Sequence, residues 1–312
     1  MRIIYMGTPD IAAEILTCLA ESRHEVVLAV TQPDKPVGRK QELKASAVKE
    51  TALRFGIPVY QPARIRDPEA VAELGRIVRE TSADIMVVAA FGQILPKEVL
   101  EMTRFGCVNV HASLLPAYRG AAPIQYAVID GLEKTGVTIM QMDEGLDTGD
   151  IIDVLEIGID PDETGGSLFD KMSAAAGPFL LEVLGRIGEG TAVRTPQRGE
   201  SSYAAMLTRE TGRVDWTGTV HRADCLIRGV TPWPGAYTML SGKKLKILGA
   251  RPAAEMTRDA GPGTAYTEKG RLFVRCADGW IEIMRLQLEG KKAMDTEAFL
   301  RGAKLAEDLV LG

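Results

Sequence analysis

Residues 107–150 read CVNVHASLLPAYRGAAPIQYAVIDGLEKTGVTIMQMDEGLDTGD, and the fold can be read outward from them. Gly106 to His111 is an apolar strand that ends in two polar side chains. Residues two apart on a strand share a face, so Asn109 and His111 point the same way. A second apolar strand, Gly136 to Met142, runs into the Gly-rich loop Asp143-Glu144-Gly145-Leu146-Asp147-Thr148-Gly149-Asp150. In an open α/β sheet, ligands bind beyond the carboxyl ends of the strands. Both polar clusters are expected at such ends. Taken singly, Asn109 and His111 can also be read as loop residues satisfying main-chain groups, and Asp147 as an ordinary turn residue.

The chain before this stretch repeats a β-α-β rhythm. Arg2 to Met6 is a strand, Ile11 to Ser22 has helical spacing, and Glu25 to Thr31 is a strand. Helices over 45–55 and 67–80 flank a short strand at 58–61, and Asp84 to Ala90 (DIMVVAA) is almost wholly apolar. A run of that kind suits a central parallel strand covered on both faces. The pattern predicts an α/β fold with a doubly wound, mostly parallel, Rossmann-like sheet. The first loop, Gly7-Thr8-Pro9-Asp10, has one glycine, no G-x-G-x-x-G and no Walker lysine, so a dinucleotide or nucleoside triphosphate site has little support.

Beyond the quoted stretch, Ala121 to Gly131 and Thr164 to Ile187 have helical periodicity, the second interrupted by Gly177-Pro178, and Ile151 to Ile159 alternates like a strand. Glu189 to Ser202 is rich in Gly, Thr, Pro and charge without a hydrophobic repeat, which suggests a linker. The predicted division is a first domain over 1–188, a linker over 189–204 and a second domain over 205–312. The second domain reads as one helix, Val220 to Arg228, and short strands near 244–248, 263–266, 271–276 and 280–286. Short strands with Gly-containing turns predict a small β-barrel. In Thr231-Pro232-Trp233-Pro234-Gly235-Ala236, a buried tryptophan between two prolines is expected.

Composition bounds the function. The chain has 312 residues and a net charge of −5, yet from residue 205 onward 17 Lys and Arg face 13 Asp and Glu. An acidic first part beside a mildly basic second one permits phosphate contact without requiring it. Cys18, Cys107, Cys225 and Cys276 are scattered, with no C-x-x-C and no His at ligand spacing, so neither disulfides nor a metal is expected. Cys107 reads as a packed strand residue rather than a nucleophile. No run is long enough to span a bilayer and the N-terminus enters a strand directly, so no membrane role and a cytoplasmic location are expected.

The whole pattern N-x-H…SLLP…D-x-G-x-D-x-G-D resembles the formyltransferases that use 10-formyltetrahydrofolate, and the PWPGA segment at 232–236 resembles a stretch of the same family. The resemblance covers nearly all of the chain and implies that the small β-barrel of the second domain is OB-like and touches tRNA. It implies that Asn109, His111 and Asp147 are catalytic, and that the folate is lined by Phe91, Gln93, Ile94, Leu95, Ser113, Leu114, Leu115, Pro116, Asp143 and Gly145. It implies no metal.

The loop QPDKPVGRKQELK at 32–44 resembles the acceptor-gripping insertion of the branch acting on methionyl-tRNA, with Arg39 at the recognition arginine and Lys35 and Lys40 beside it. In that branch the run is more basic than Lys40-Gln41-Glu42. The resemblance implies contact with the acceptor stem of methionyl-initiator tRNA, by a monomer whose two domains both reach it. Residues 205–312 speak against a glycinamide ribonucleotide acceptor. An amino-sugar acceptor, or a catalytically silent folate- or tRNA-binding protein, stays as the alternative.

Overall fold

The computed structural model describes residues 1–37, 41–303, 305–306 and 309–312. They form two compact units. The first comprises residues 1–123, 135–158 and 169–204, and the second residues 124–134, 159–168 and 205–312.

The first unit is built on a seven-stranded sheet in the order Ile151–Gly158, Lys134–Gln141, Cys107–His111, Ile85–Ala89, Arg2–Gly7, Glu25–Val30, Val59–Tyr60. The five strands from Val59–Tyr60 to Cys107–His111 pair in parallel. Each apolar strand buries both faces. On one, Ile4, Met6, Met86, Val88 and Cys107 pack with Leu74 and Val78 of the helix Pro68–Thr81. Toward the other, the Tyr5 hydroxyl donates to the carbonyl of Ala12, on the helix Asp10–Ala20, at 2.6 Å. That two-sided cover is why these strands show no polar alternation. Cys107 lies on the first face, so Asn109 and His111 continue that face toward the strand's carboxyl end.

Two features depart from the sequence reading. Lys134–Gln141 is antiparallel to Cys107–His111, with Val108 opposite Gln141 and His111 opposite Thr138. Its carboxyl end therefore lies at the edge opposite to the carboxyl ends of the parallel strands. The loop that follows must double back along the sheet for Asp147 to come near His111. The helix Gly165–Glu189 runs unbroken through Gly177-Pro178. A proline costs a helix one hydrogen bond and crowds the preceding turn, yet packing holds this helix together. A Cβ on Gly177 would stand 2.7 Å from Cys18 Cβ, so the glycine permits close approach to the helix Asp10–Ala20.

The second unit has a six-stranded antiparallel sheet. Its main path is Ala236–Leu240, Lys243–Pro252, Trp280–Leu288, Arg271–Arg275, Ala265–Glu268, with Met294–Asp295 paired to Trp280–Leu288. Among the described residues no ladder joins the two end strands, so the sheet does not close into a complete barrel. The helix Val220–Gly229 contributes Ala223 and Ile227 to a core that also holds Trp216, Leu245, Leu272, Ile283 and Leu286. Trp216 and Trp280 are buried, each with its indole N–H satisfied, by Thr238 Oγ1 at 3.0 Å and by the Arg258 carbonyl at 2.9 Å. Trp233 is 59% exposed, contrary to the buried position expected for it. The core is filled without it.

Candidate active site

Asn109 and His111 are 8% and 6% exposed, at the point where the strand leaves the core. The loop after Gln141 returns to them. Gln141 N donates to the Asp150 carbonyl at 2.8 Å, closing the loop at its base. Asp143 Oδ1 accepts from Gly145 N at 3.0 Å and Thr148 Oγ1 at 2.7 Å, tightening it inside. Asp147 then faces both strand residues: His111 Nδ1 is 3.8 Å from its Oδ2, and Asn109 Nδ2 is 3.5 Å from its Oδ1. The backbone of Asp147 is left-handed, with φ 53°. Asp tolerates that region better than most residues, yet it remains costly for an L-residue.

The other half of the site comes from the segment after the Ser113–Pro116 turn. His111 Nε2 lies 2.9 Å from the Tyr118 carbonyl, which can only accept, so the hydrogen-bond network assigns a proton to Nε2. Nδ1 is left facing Asp147: in the neutral ring it can accept a proton, and it donates to that carboxylate once the ring is an imidazolium. Gly120 N donates to Asp147 Oδ2 at 2.8 Å. Asn109 carries two N–H groups and directs one toward Asp147. The second can meet a developing oxyanion.

The remaining expected site residues divide. Ser113 is fully buried, and its hydroxyl donates to the Ala117 carbonyl at 2.6 Å. Thr138 Oγ1 donates to the Ser113 carbonyl at 2.6 Å and accepts from Leu115 N at 3.1 Å, which fixes the turn containing the cis Leu115–Pro116 bond. Leu115 is buried, while Leu114 and Pro116 are half-buried. Phe91 and Leu95 point into the core, whereas Ile94 is 75% exposed on the same loop. Gln93 Oε1 accepts from Ile65 N at 2.7 Å, tying that loop down. Asp143 and Gly145 are exposed and border a cleft of about 650 Å³ that opens between residues 97–106 and 141–145. The cleft touches none of Asn109, His111 and Asp147. Lys35 is exposed on the strand Lys35–Val37, while Arg39 and Lys40 lie outside the described residues.

Cys107 is fully buried beneath the site, and burial pushes its thiol up to about 12. A thiol so raised does not form the reactive thiolate near neutral pH. Iodoacetamide is expected to leave Cys107 unmodified in the native protein and to label it after denaturation, as read by peptide mass spectrometry. Among the described residues no group of three or more His, Cys, Asp or Glu is placed to hold a metal ion, and no helix is long and apolar enough to cross a membrane.

Tyr118, Arg119, Gly120 and Gln197 also belong to this environment and were missed in the sequence. Gln197 lies in the stretch that resembles a linker, fifty residues from its hydrogen-bond partner Asp147, and no local pattern marks it.

The family model for "Formyl transferase" matches residues 1–184, and that for "Formyl transferase, C-terminal domain" matches residues 206–304. The methionyl-tRNA formyltransferase of Agathobacter rectalis is 49% identical over 309 residues, 98% of each chain. That of Geobacter metallireducens is 46% identical over 314 residues, 100% of this chain and 99% of its own. Among solved structures, WlaRD, a sugar 3N-formyl transferase determined with dTDP and 5-N-formyl-THF, has a TM-score of 0.67 at 19% identity, over 94% of this chain and 99% of its own. The phosphoribosylglycinamide formyltransferase of Bacillus halodurans has a TM-score of 0.51 at 26% identity, over 60% of this chain and 95% of its own. The first of these structures bears on the fold alone. With both family models matched and identity near one half from end to end, the chain belongs to the formyl transferase family.

Proposed function

We propose that this protein transfers the formyl group of 10-formyltetrahydrofolate to the α-amino group of methionyl-initiator tRNA, giving N-formylmethionyl-tRNA for translation initiation. One observation carries the reading. A buried amide and a buried imidazole meet a half-buried carboxylate, in a chain 49% identical over 98% of its length to a methionyl-tRNA formyltransferase.

Bound 10-formyltetrahydrofolate supplies a formyl group on an aryl-amine nitrogen, ready for attack by an amine. The residues suit it. Ile94 and Leu146, 75% and 53% exposed, offer apolar side chains on the 91–95 and 143–147 loops, next to main chain that can hydrogen-bond a pterin edge. Asn109 would donate to the formyl oxygen as negative charge develops there, and Asp147 would orient the imidazole and draw the proton from the attacking amine; as the formyl carbon–nitrogen bond to the folate breaks, His111 would pass a proton to the leaving nitrogen, releasing tetrahydrofolate. Direct acyl transfer of this kind needs no covalent nucleophile.

Residues 1–188 would carry the chemistry, 189–204 the connection and 205–312 contact with the tRNA, whose acceptor stem Arg39, Lys35 and Lys40 would grip. A monomer in the cytoplasm suits that arrangement, since one tRNA would engage both parts of one chain.

Steady-state formylation of charged initiator tRNA by wild type, Arg39→Ala and His111→Ala tests this division. Arg39→Ala is expected to raise KM for the tRNA about 10-fold and, having lost one phosphate contact, to depend less steeply on salt than wild type. His111→Ala is expected to lower kcat about 100-fold or more with KM little changed. Wild-type kinetics for both variants contradict the assignment.

A further inference from the structure

The strained turn at Asp147 does not hold itself. Its carbonyl accepts from Gln197 Nε2 at 2.8 Å, and the same amide nitrogen donates to the Gly149 carbonyl at 2.9 Å. Gln197 Oε1 in turn accepts from Arg119, at 2.6 Å from Nη2 and 3.2 Å from Nε. Arg119 precedes Gly120, whose N–H binds the Asp147 carboxylate, and follows Tyr118, whose carbonyl binds His111. A ring of contacts therefore runs from Asp147 through Gly120, Arg119 and Gln197 back to Asp147. Its outer side is pinned by Arg119–Gly120 pairing in parallel with Tyr203–Ala204, and by Tyr118 N donating to Ser202 Oγ at 2.8 Å.

From this ring we infer that Gln197 is a positioning residue of formyl transfer, whose amide fixes the left-handed turn that aims Asp147 at His111 and Asn109. Three features set it apart from a general structural bond. Both donated bonds go to the turn, one to Asp147 itself and one to Gly149, two residues on. The acceptor half is saturated by Arg119, so the amide cannot flip and the donor half stays aimed at the turn. Moreover, Asp147 O has no other hydrogen-bond donor among the described residues. A 1 Å misplacement of a reacting group can cost about 100-fold in rate. A side chain that fixes the setting of Asp147 thus acts on turnover, not on acceptor binding.

The inference rests on the catalytic role proposed for Asp147, and the test separates the two. Gln197→Ala, Gln197→Glu, Asp147→Asn and the double variant Gln197→Ala/Asp147→Asn are compared by kcat, by KM for methionyl-tRNA and by thermal unfolding. Gln197→Glu keeps the acceptor for Arg119 and removes the N–H donors, at almost unchanged volume. Both Gln197 variants are expected to lose about 10- to 100-fold in kcat with KM for the tRNA within about twofold of wild type. In the Asp147→Asn background, Gln197→Ala is expected to add less than about a further twofold, because residues acting through one another are not additive. An impaired Asp147→Asn beside Gln197 variants of wild-type kcat overturns the inference alone. So does a double variant whose loss is the product of the single losses. Near-normal turnover of Asp147→Asn overturns the reading beneath it.

Discussion

Replacing Asn109 by Ala is expected to lower kcat by about 100- to 1,000-fold while leaving the fold intact. The magnitude is that of losing one preorganised donor to a developing oxyanion. The site makes the loss severe here because Asn109 is 8% exposed, so water cannot readily take the place of the missing N–H. Its amide also contacts Asp147 at 3.5 Å, so the substitution frees one edge of that carboxylate. Asn109→Asp keeps the shape, removes the donor and places a second carboxylate beside Asp147. It should be at least as inactive as Asn109→Ala. Single-turnover formylation isolates the chemical step, and circular dichroism with thermal unfolding verifies that the variant is folded. A variant within about threefold of wild type would remove Asn109 from the mechanism.

Gly149→Ala is the second large effect, and it acts through the backbone. A Cβ at this buried position would stand 1.7 Å from the Gln141 carbonyl oxygen, far inside van der Waals contact and against main chain that has no rotamer to change. Gln141 and Asp150 are hydrogen-bonded across the base of the loop, so relief requires that base to open. Overpacking of this kind costs about 3 kcal/mol, and opening the base displaces Asp147 from His111. The variant is expected to unfold at markedly lower urea concentration and to lose turnover beyond what its folded fraction explains. Wild-type stability would show that the loop base is not closed as described.

How far the sequence carried this account depends on which physical signal each feature leaves. The parallel strands were legible because two buried faces demand uninterrupted apolar residues, as in Ile85–Ala89. Asn109 and His111 were legible as partners because period two places them on one face. The direction of Lys134–Gln141 was not, since an apolar run reads the same for either orientation. Gly177-Pro178 suggested a break because local propensity opposes a helix there, and packing against Cys18 overrides it. The two prolines around Trp233 suggested a packed corner, but Trp216 and Trp280 are the tryptophans that occupy buried sites. Gln197 left no trace at all. Its meaning lies in two main-chain carbonyls about fifty residues earlier, and only the folded chain brings them together.

The most direct test of the central claim is transfer of labelled formyl from 10-formyltetrahydrofolate by the wild-type protein to three acceptors side by side: charged methionyl-initiator tRNA, a dTDP-linked amino sugar and glycinamide ribonucleotide. The account predicts label in methionyl-tRNA, recovered as N-formylmethionine after deacylation, with kcat/KM exceeding that for either small acceptor by several orders of magnitude. Efficient labelling of the amino sugar or the ribonucleotide, with methionyl-tRNA unlabelled, would contradict it.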